Sequence, residues 1–215
     1  MNWSSGADRY AGGCASYRIM SGHEGIAGWA STNDPAERPD PALASALGAL
    51  KPADRETLLL SLVDVQAVAP VARRVVALFE REFADLLDDA EVHHIGATSL
   101  PAGHTKGDVD VNVRVDDARF PALVVSLAER LQVAQRENWS ESFASFSADR
   151  YELPLGVQVT IIGSRDDFLL TLRDRMRADP SLLRRYDEVK LAAAAEGADE
   201  YWKAKDRLLR EILAD

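Results

Sequence analysis

The chain has 215 residues, 47% of them apolar, which is enough for one core domain with an added segment or for two small ones. Its 35 acids against 25 bases give a net charge of −10, which argues against a nucleic-acid backbone or an anionic membrane as the main partner. A single cysteine, Cys14, excludes an intramolecular disulfide or a cysteine-built zinc cage; no apolar run approaches the roughly 20 residues of a membrane span; and the start lacks the pattern of a secretory signal, so a cytoplasmic protein is the default expectation.

Residues 1–50 are rich in Gly, Ser, Ala and Asp without a sustained period, and Pro35, Pro39 and Pro41 mark a linker. They read as an irregular or partly disordered extension. Asp54 can cap a short helix through Leu62, and Val63–Val68 reads as a short strand or turn. Pro70 suits the first position of a helix, whose apolar stripe is Val71, Val75, Val76, Phe79, Phe83, Leu86 and Leu87. A strand-like run from Val92 to Ile95 follows, then a turn at Gly96-Ala97-Thr98-Ser99 and, twelve residues after Gly96, the segment Asp108-Val-Asp-Val-Asn-Val-Arg-Val115. Strict alternation over this segment predicts a strand. Val109, Val111, Val113 and Val115 share its core face, and Asp108, Asp110, Asn112 and Arg114 share the other. Phe120, Leu123, Leu127 and Leu131 suggest a helix. Residues 138–162 suggest two or three strands with a turn at Pro154 and Gly156, the best of them Val157–Ile162. Helices are expected over Phe168–Ala178, Ser181–Ala195 and Asp199–Leu213, punctuated by Pro180 and Gly197. The order predicts an α/β (α+β) core over 51–165, with a small mixed sheet flanked by helices, and a helical segment over 166–215 packed on it.

The chemistry concentrates at the turn and the acidic strand. Two carboxylates two residues apart on one strand face repel each other unless a cation lies between them. Magnesium takes oxygen ligands and is commonly held by one or two carboxylates together with substrate phosphates. Gly96 permits close approach of a ligand to the backbone, Thr98 and Ser99 offer hydroxyls, and neighbouring N–H groups can form an anion-binding concavity. Lys106 is either a solvated loop residue or a phosphate partner. His94 reads as a structural residue, and His93 and His104 as surface residues. Arg173, Arg175, Arg177, Arg184 and Arg185 form a basic cluster whose guanidinium forks suit phosphate, although such residues are commonly a solvated helix face.

These residues resemble the nucleotidyltransferase superfamily, marked by a Gly-Ser turn followed by an acid-x-acid pair. Within it, His94-Ile95-Gly96-Ala97-Thr98-Ser99-Leu100-Pro101, with Lys106 and Asp110, is similar to the GrpB family pattern. Tyr186 with Lys190 and Tyr201 with Lys205 resemble that family's paired Tyr-x-x-x-Lys helices, so the resemblance covers roughly residues 63–215. It implies a nucleotidyltransferase-like fold and a Mg²⁺-dependent transfer of a nucleotidyl group from an NTP, ATP foremost, to a small-molecule acceptor. If the acceptor is a carboxylate, the product is an adenylate, as in ATP-dependent amide ligation. Asp108 and Asp110 would hold the metal. Gly96, Thr98, Ser99, Lys106, Lys190 and Lys205 would bind the nucleotide. The family typically has one acid on this strand, matching Asp110, and Asp108 is an addition. The third carboxylate usual in the superfamily is missing from the strand at 157–162, which shows Gln158 and Thr160. Glu152 is the candidate to replace it. The alternative reading is a catalytically degenerate module that binds a nucleotide or phosphometabolite.

Overall fold

The computed structural model describes residues 62–214. The extension over 1–50 and the helix begun at Asp54 lie outside the described residues. A short strand β1 (Val63–Asp64) leads directly into helix α1 (Val65–Glu82). Asp64 is the N-cap, its carboxylate accepting from the backbone N–H of Gln66 at 2.7 Å. Pro70 therefore lies inside α1 rather than at its start. The cap at Asp64 and the buried Val65 and Val68 carry the helix one and a half turns upstream of the proline, whose missing N–H costs one hydrogen bond there. The stripe itself is as expected: Val71, Val75, Phe79, Phe83 and Leu87 are buried, while Val76 and Leu86 are half-buried.

The remaining elements are β2 (Glu91–Ile95), a 3₁₀ turn (Ala97–Ser99), β3 (His104–Thr105), β4 (Val109–Val115), α2 (Phe120–Ala128), β5 (Gln132–Val133), a second 3₁₀ turn (Arg136–Asn138), β6 (Phe143–Ala148), β7 (Leu155–Ile161) and helices α3 (Leu169–Ala178), α4 (Pro180–Glu196) and α5 (Ala198–Ala214). Five strands form one mixed sheet in the order β2-β4-β7-β6-β5, and β1 pairs with β3 in a separate ribbon. β4 lies antiparallel to β2 and parallel to β7, with Asp110 opposite Ile95 on one side and Gly156 on the other. Gly156 is thus inside β7, not in a turn.

The alternation of β4 sorts the two faces of the sheet. The four valines are fully buried and join Val157, Val159 and the stripes of α1 and α2 in the main core. The opposite face is polar yet buried. Asn112 donates to the carbonyl of Gln158 (3.1 Å) and to the Thr160 hydroxyl (3.0 Å), and Arg114 grips both oxygens of Asp167 at 2.7 Å. Helices α3–α5 lie beyond this face around a second core of Leu100, Leu172, Met176, Leu183, Tyr186, Leu208 and Ile212. Asp179 caps α4 by accepting from Ser181 and Leu182, and Gly197 ends it with a φ of +116°. The result is a mixed α/β fold with a helical C-terminal segment, and no described helix is long and apolar enough to cross a membrane.

Candidate active site

Asp110 sits where three strands' worth of backbone converge. The turn at the end of β2 brings Gly96 against it, and a Cβ built on Gly96, whose φ is +69°, would overlap Asp110 Oδ2. From β7, a Cβ on Gly156 would lie 2.7 Å from Asp110 Oδ1. Gln158 donates from Nε2 to the same oxygen at 3.2 Å. Both glycines are required by the space this carboxylate occupies. A glycine within a strand pattern signals close approach of another group, and that signal at Gly156 was available in the sequence.

Asp108 lies one residue ahead of β4. Its carboxylate is held by Lys106 at 2.9 Å, and the lysine side chain is 8% exposed. Lys106 is therefore neither a solvated loop residue nor an open phosphate ligand, but a built-in counter-charge. Its ammonium also lies 4.6 Å from the centre of the Trp202 ring. Burial alone would raise the pKa of Asp108, yet the Lys106 and Lys205 ammoniums bring it below the usual carboxylate range. Asp110 goes the other way: burial first, and then the charge of Asp108, push it up to about 6. The two acids thus feel one another, and the lysines feel both.

The C-terminal helices bring their tyrosines and lysines to this place. Tyr186, Lys190 and Tyr201 are buried, and Lys205 is half-buried. Burial raises the pKa of both tyrosines, and the aspartates at 108 and 110 raise it further. Lys190 donates to the carbonyl of His104 and lies 3.4 Å from Asp187; burial lowers it to about 8. Asp187 in turn accepts from the backbone N–H of His104 at 2.6 Å and meets its Nδ1 at 2.8 Å. His104 is therefore a clasp between β3 and α4, not a plain surface residue. Lys205 Nζ has no hydrogen bond or ion pair among the described residues; it rests 5.2 Å from the centre of the Trp202 ring.

The hydroxyls of the turn are directed inward. Thr98 donates to the carbonyl of Asp108 (3.1 Å), so His94 Nε2, 3.0 Å away, must be the donor to Thr98 Oγ1. His94 is the structural residue expected, held neutral by burial and by Arg177 and Arg173, with a pKa of about 4. Ser99 donates to the carbonyl of Gly96 at 2.7 Å. Both hydroxyls shape the turn rather than stand open to a ligand. The arginines of α3 brace it from behind: Arg177 donates to the carbonyl of Ser99 (2.6 Å) and Arg173 to that of His94 (3.0 Å). Arg173 and Arg177 are thus neither a solvated face nor open phosphate forks, whereas Arg184 and Arg185 of α4 are exposed.

Glu152 does not complete the acidic set. Arg74 of α1 binds both its oxygens, at 3.1 and 2.7 Å, on the side of the sheet that carries the valine core. Among the described residues no group of three His, Cys, Asp or Glu side chains is placed to hold a metal ion. Gln158 is the side chain that meets Asp110 from the neighbouring strand. Its Oε1 is buried without a hydrogen-bond partner, an orphaned acceptor beside a carboxylate. Two carboxylates and an amide oxygen are donor types that magnesium takes, although the amide meets Asp110 through Nε2 and would have to turn for Oε1 to join them. They provide no third carboxylate for a second ion.

Two cavities meet at these residues. The more polar one, about 420 Å³ including its open mouth, is lined by Asp108, Gln135, Ser145, Ser147 and Asp149 together with Phe146, Pro154 and Leu155. An apolar one, about 940 Å³ counted the same way, is walled by side chains of β2, α3 and α5 and reaches Asp110 and Lys205. Gln158 lines both.

A mixed sheet with a glycine turn facing an acidic strand, closed by three helices of which two bear a Tyr/Lys pair, defines the class of this protein. The family model described as GrpB protein matches residues 66–215, and the chain belongs to that family. It is similar to the UPF0157 protein VC_A0354 of Vibrio cholerae serotype O1, with 29% identity over 146 residues, covering 63% of this chain and 72% of that one. It also resembles the crystal structure of the conserved protein GrpB from Enterococcus faecalis in fold, at a TM-score of 0.53 and 18% identity, over 71% of this chain and 99% of that one.

Proposed function

We propose that this protein transfers a nucleotidyl group from an NTP, ATP foremost, to a small-molecule acceptor. The observation that carries the reading is the buried pair Asp108 and Asp110, set between a polar and an apolar cavity with three lysines converging on it. The polar cavity beside Asp108 would receive the nucleotide, and the apolar one beside Asp110 the acceptor. Asp108, Asp110 and the Gln158 amide oxygen would hold magnesium, which when bound supplies charge neutralisation and alignment for the phosphates. Lys106 and Lys205 add positive charge that needs no reorganisation at the moment of reaction. Gly96 lets the turn lie against Asp110, and Thr98 and Ser99 serve by fixing that turn. An acceptor oxygen attacks the α-phosphorus, the α–β phosphoanhydride bond breaks, and pyrophosphate leaves with the bonding electrons. A carboxylate acceptor has no proton to lose in this step; its product is a mixed anhydride that an amine can open to an amide. Holding two reactants in line is worth several kcal/mol of barrier on its own.

A second reading has its own support. Lys106 neutralises Asp108 in the way a metal would, and among the described residues no third carboxylate is placed with the pair to hold a metal ion. Both features suit a nucleotide-binding module without turnover. The test is pyrophosphate release from ATP with Mg²⁺ and a panel of acceptors, run on the protein and on Asp110→Asn. Release that falls at least 100-fold in the variant supports transfer. Nucleotide binding with no release across the panel supports the module.

A further inference from the structure

We infer that the apolar cavity beside Asp110 binds an amphiphilic carboxylate, with a hydrocarbon or aryl body along the helices and its carboxylate at the inner end on Lys205. The body is specified by the walls. Ile95 and Leu100 line the cavity from the β2 end and the turn, Leu172 and Met176 from α3, and Leu209 and Leu213 from α5. Such a lining with few convergent polar groups is typical of a small-molecule site.

The head is specified by which charged groups remain open. At the wall, Asp206 is paired with Arg210 at 2.9 Å, and Arg173 is held by Asp174 and by the carbonyl of His94. At the inner end, Lys106 is committed to Asp108, and Lys190 to His104 and Asp187. Lys205 has three N–H donors and no hydrogen-bonding partner among the described residues. A cationic head would meet this ammonium with Arg173 and Arg210 nearby, three bases against the two acids Asp110 and Asp206 on the cavity wall. A dianionic phosphate would bring two negative charges toward Asp110 and Asp108. A single carboxylate matches one ammonium. Binding of this ligand requires none of the transfer chemistry; that it is the acceptor rests on the function proposed above.

Calorimetry on the full chain with octanoate, octanol and octyltrimethylammonium tests the inference. Octanoate should bind at least tenfold more tightly than the other two. Lys205→Met should erase that preference while leaving octanol affinity within about twofold, because the walls are intact. Leu209→Trp, which fills the cavity, should weaken octanoate and octanol alike; a melting curve matching the parent's shows that each variant is folded. Equal affinity for the three heads, no binding of octanoate, affinities indifferent to both substitutions, or competition by ATP alone for the octanoate site would each overturn the assignment. If octanoate binds as described but no acceptor supports pyrophosphate release, the transfer reading fails and the pocket stands. Release without octanoate binding has the opposite meaning.

Discussion

Gly96 and Gly156 lack side chains at the two points where Asp110 needs room. A methyl group at Gly156 would sit 2.7 Å from Asp110 Oδ1 and force the carboxylate to turn, while at Gly96 it would overlap Oδ2 and also strain a backbone held at a φ of +69°. Gly96→Ala should therefore cost about 1–3 kcal/mol of stability, whereas Gly156→Ala, with φ outside the strained region, should cost less. Both should depress the proposed transfer at least tenfold by moving Asp110. Chemical denaturation beside pyrophosphate release checks this, and a fully active Gly156→Ala would show that the carboxylate's placement is not critical. Asp108, Asp110 and the turn were legible because their signals are local: alternation, and a glycine with hydroxyls. Gln158 was legible as the residue standing where a third acid would be, but its bond to Asp110 was not. Gln158 meets it only through the register of two parallel strands 48 residues apart in sequence, and Glu152 is drawn off by Arg74 of α1.

At the scale of elements, the 3₁₀ turn is held by a chain from His94 through the Thr98 hydroxyl to the carbonyl of Asp108, and His94 sits there in surroundings that disfavour its charged form. Burial and the nearby arginines lower its pKa from 6.5 to about 4. Between those values the unfolded chain takes a proton that the folded chain refuses, so this contribution is intact above pH 6.5 and is lost as the pH falls toward 4. At roughly 1.4 kcal/mol per pKa unit the loss approaches about 3 kcal/mol. Asp110 opposes it, because a folded-state pKa of about 6 makes the folded chain bind a proton first. Comparing His94→Gln with the parent removes that shared contribution. The variant should be less stable by about 1 kcal/mol at pH 7.5 for its altered hydrogen bond, and the gap should close or reverse by pH 4.5. A constant gap between denaturation midpoints would show that His94 titrates normally. The helices taught the same lesson about locality. Pro180 and Gly197 announced α4 and α5 because breakers act over a few residues. Pro70 misplaced the start of α1, since the cap at Asp64 and the anchoring of Val65 N–H on the carbonyl of Gly103 outweigh the preference of proline for a first turn.

For the whole molecule, the polar face of the sheet is viable only because α3–α5 cover it. Those helices bring Lys190, Lys205, Tyr186 and Tyr201 to the carboxylates, supply Leu172, Met176, Leu208 and Ile212 to the core that buries Leu100, and brace the turn through Arg173 and Arg177. Without them, Asp108 and Asp110 keep Lys106 alone as a cation, the carbonyls of His94 and Ser99 lose their donors, and Ile95 and Leu100 face water. Exposing a buried aliphatic side chain costs about 1.5–3 kcal/mol, and each hydrogen bond to a charged group about 1.5–3 kcal/mol more. Two side chains and three guanidinium bonds from α3 (two from Arg177, one from Arg173) then amount to roughly 7–15 kcal/mol, against the 5–15 kcal/mol that holds a typical domain folded. A chain stopped after Arg165 should therefore fail to fold cooperatively: circular dichroism should show no sharp melting transition, and a dye that binds exposed apolar surface should brighten at 25 °C. Were that fragment to melt sharply and leave the dye dark, the helical segment would be an accessory to an independent core rather than its second wall, and the lysines it carries would have to reach the aspartates by docking rather than by folding.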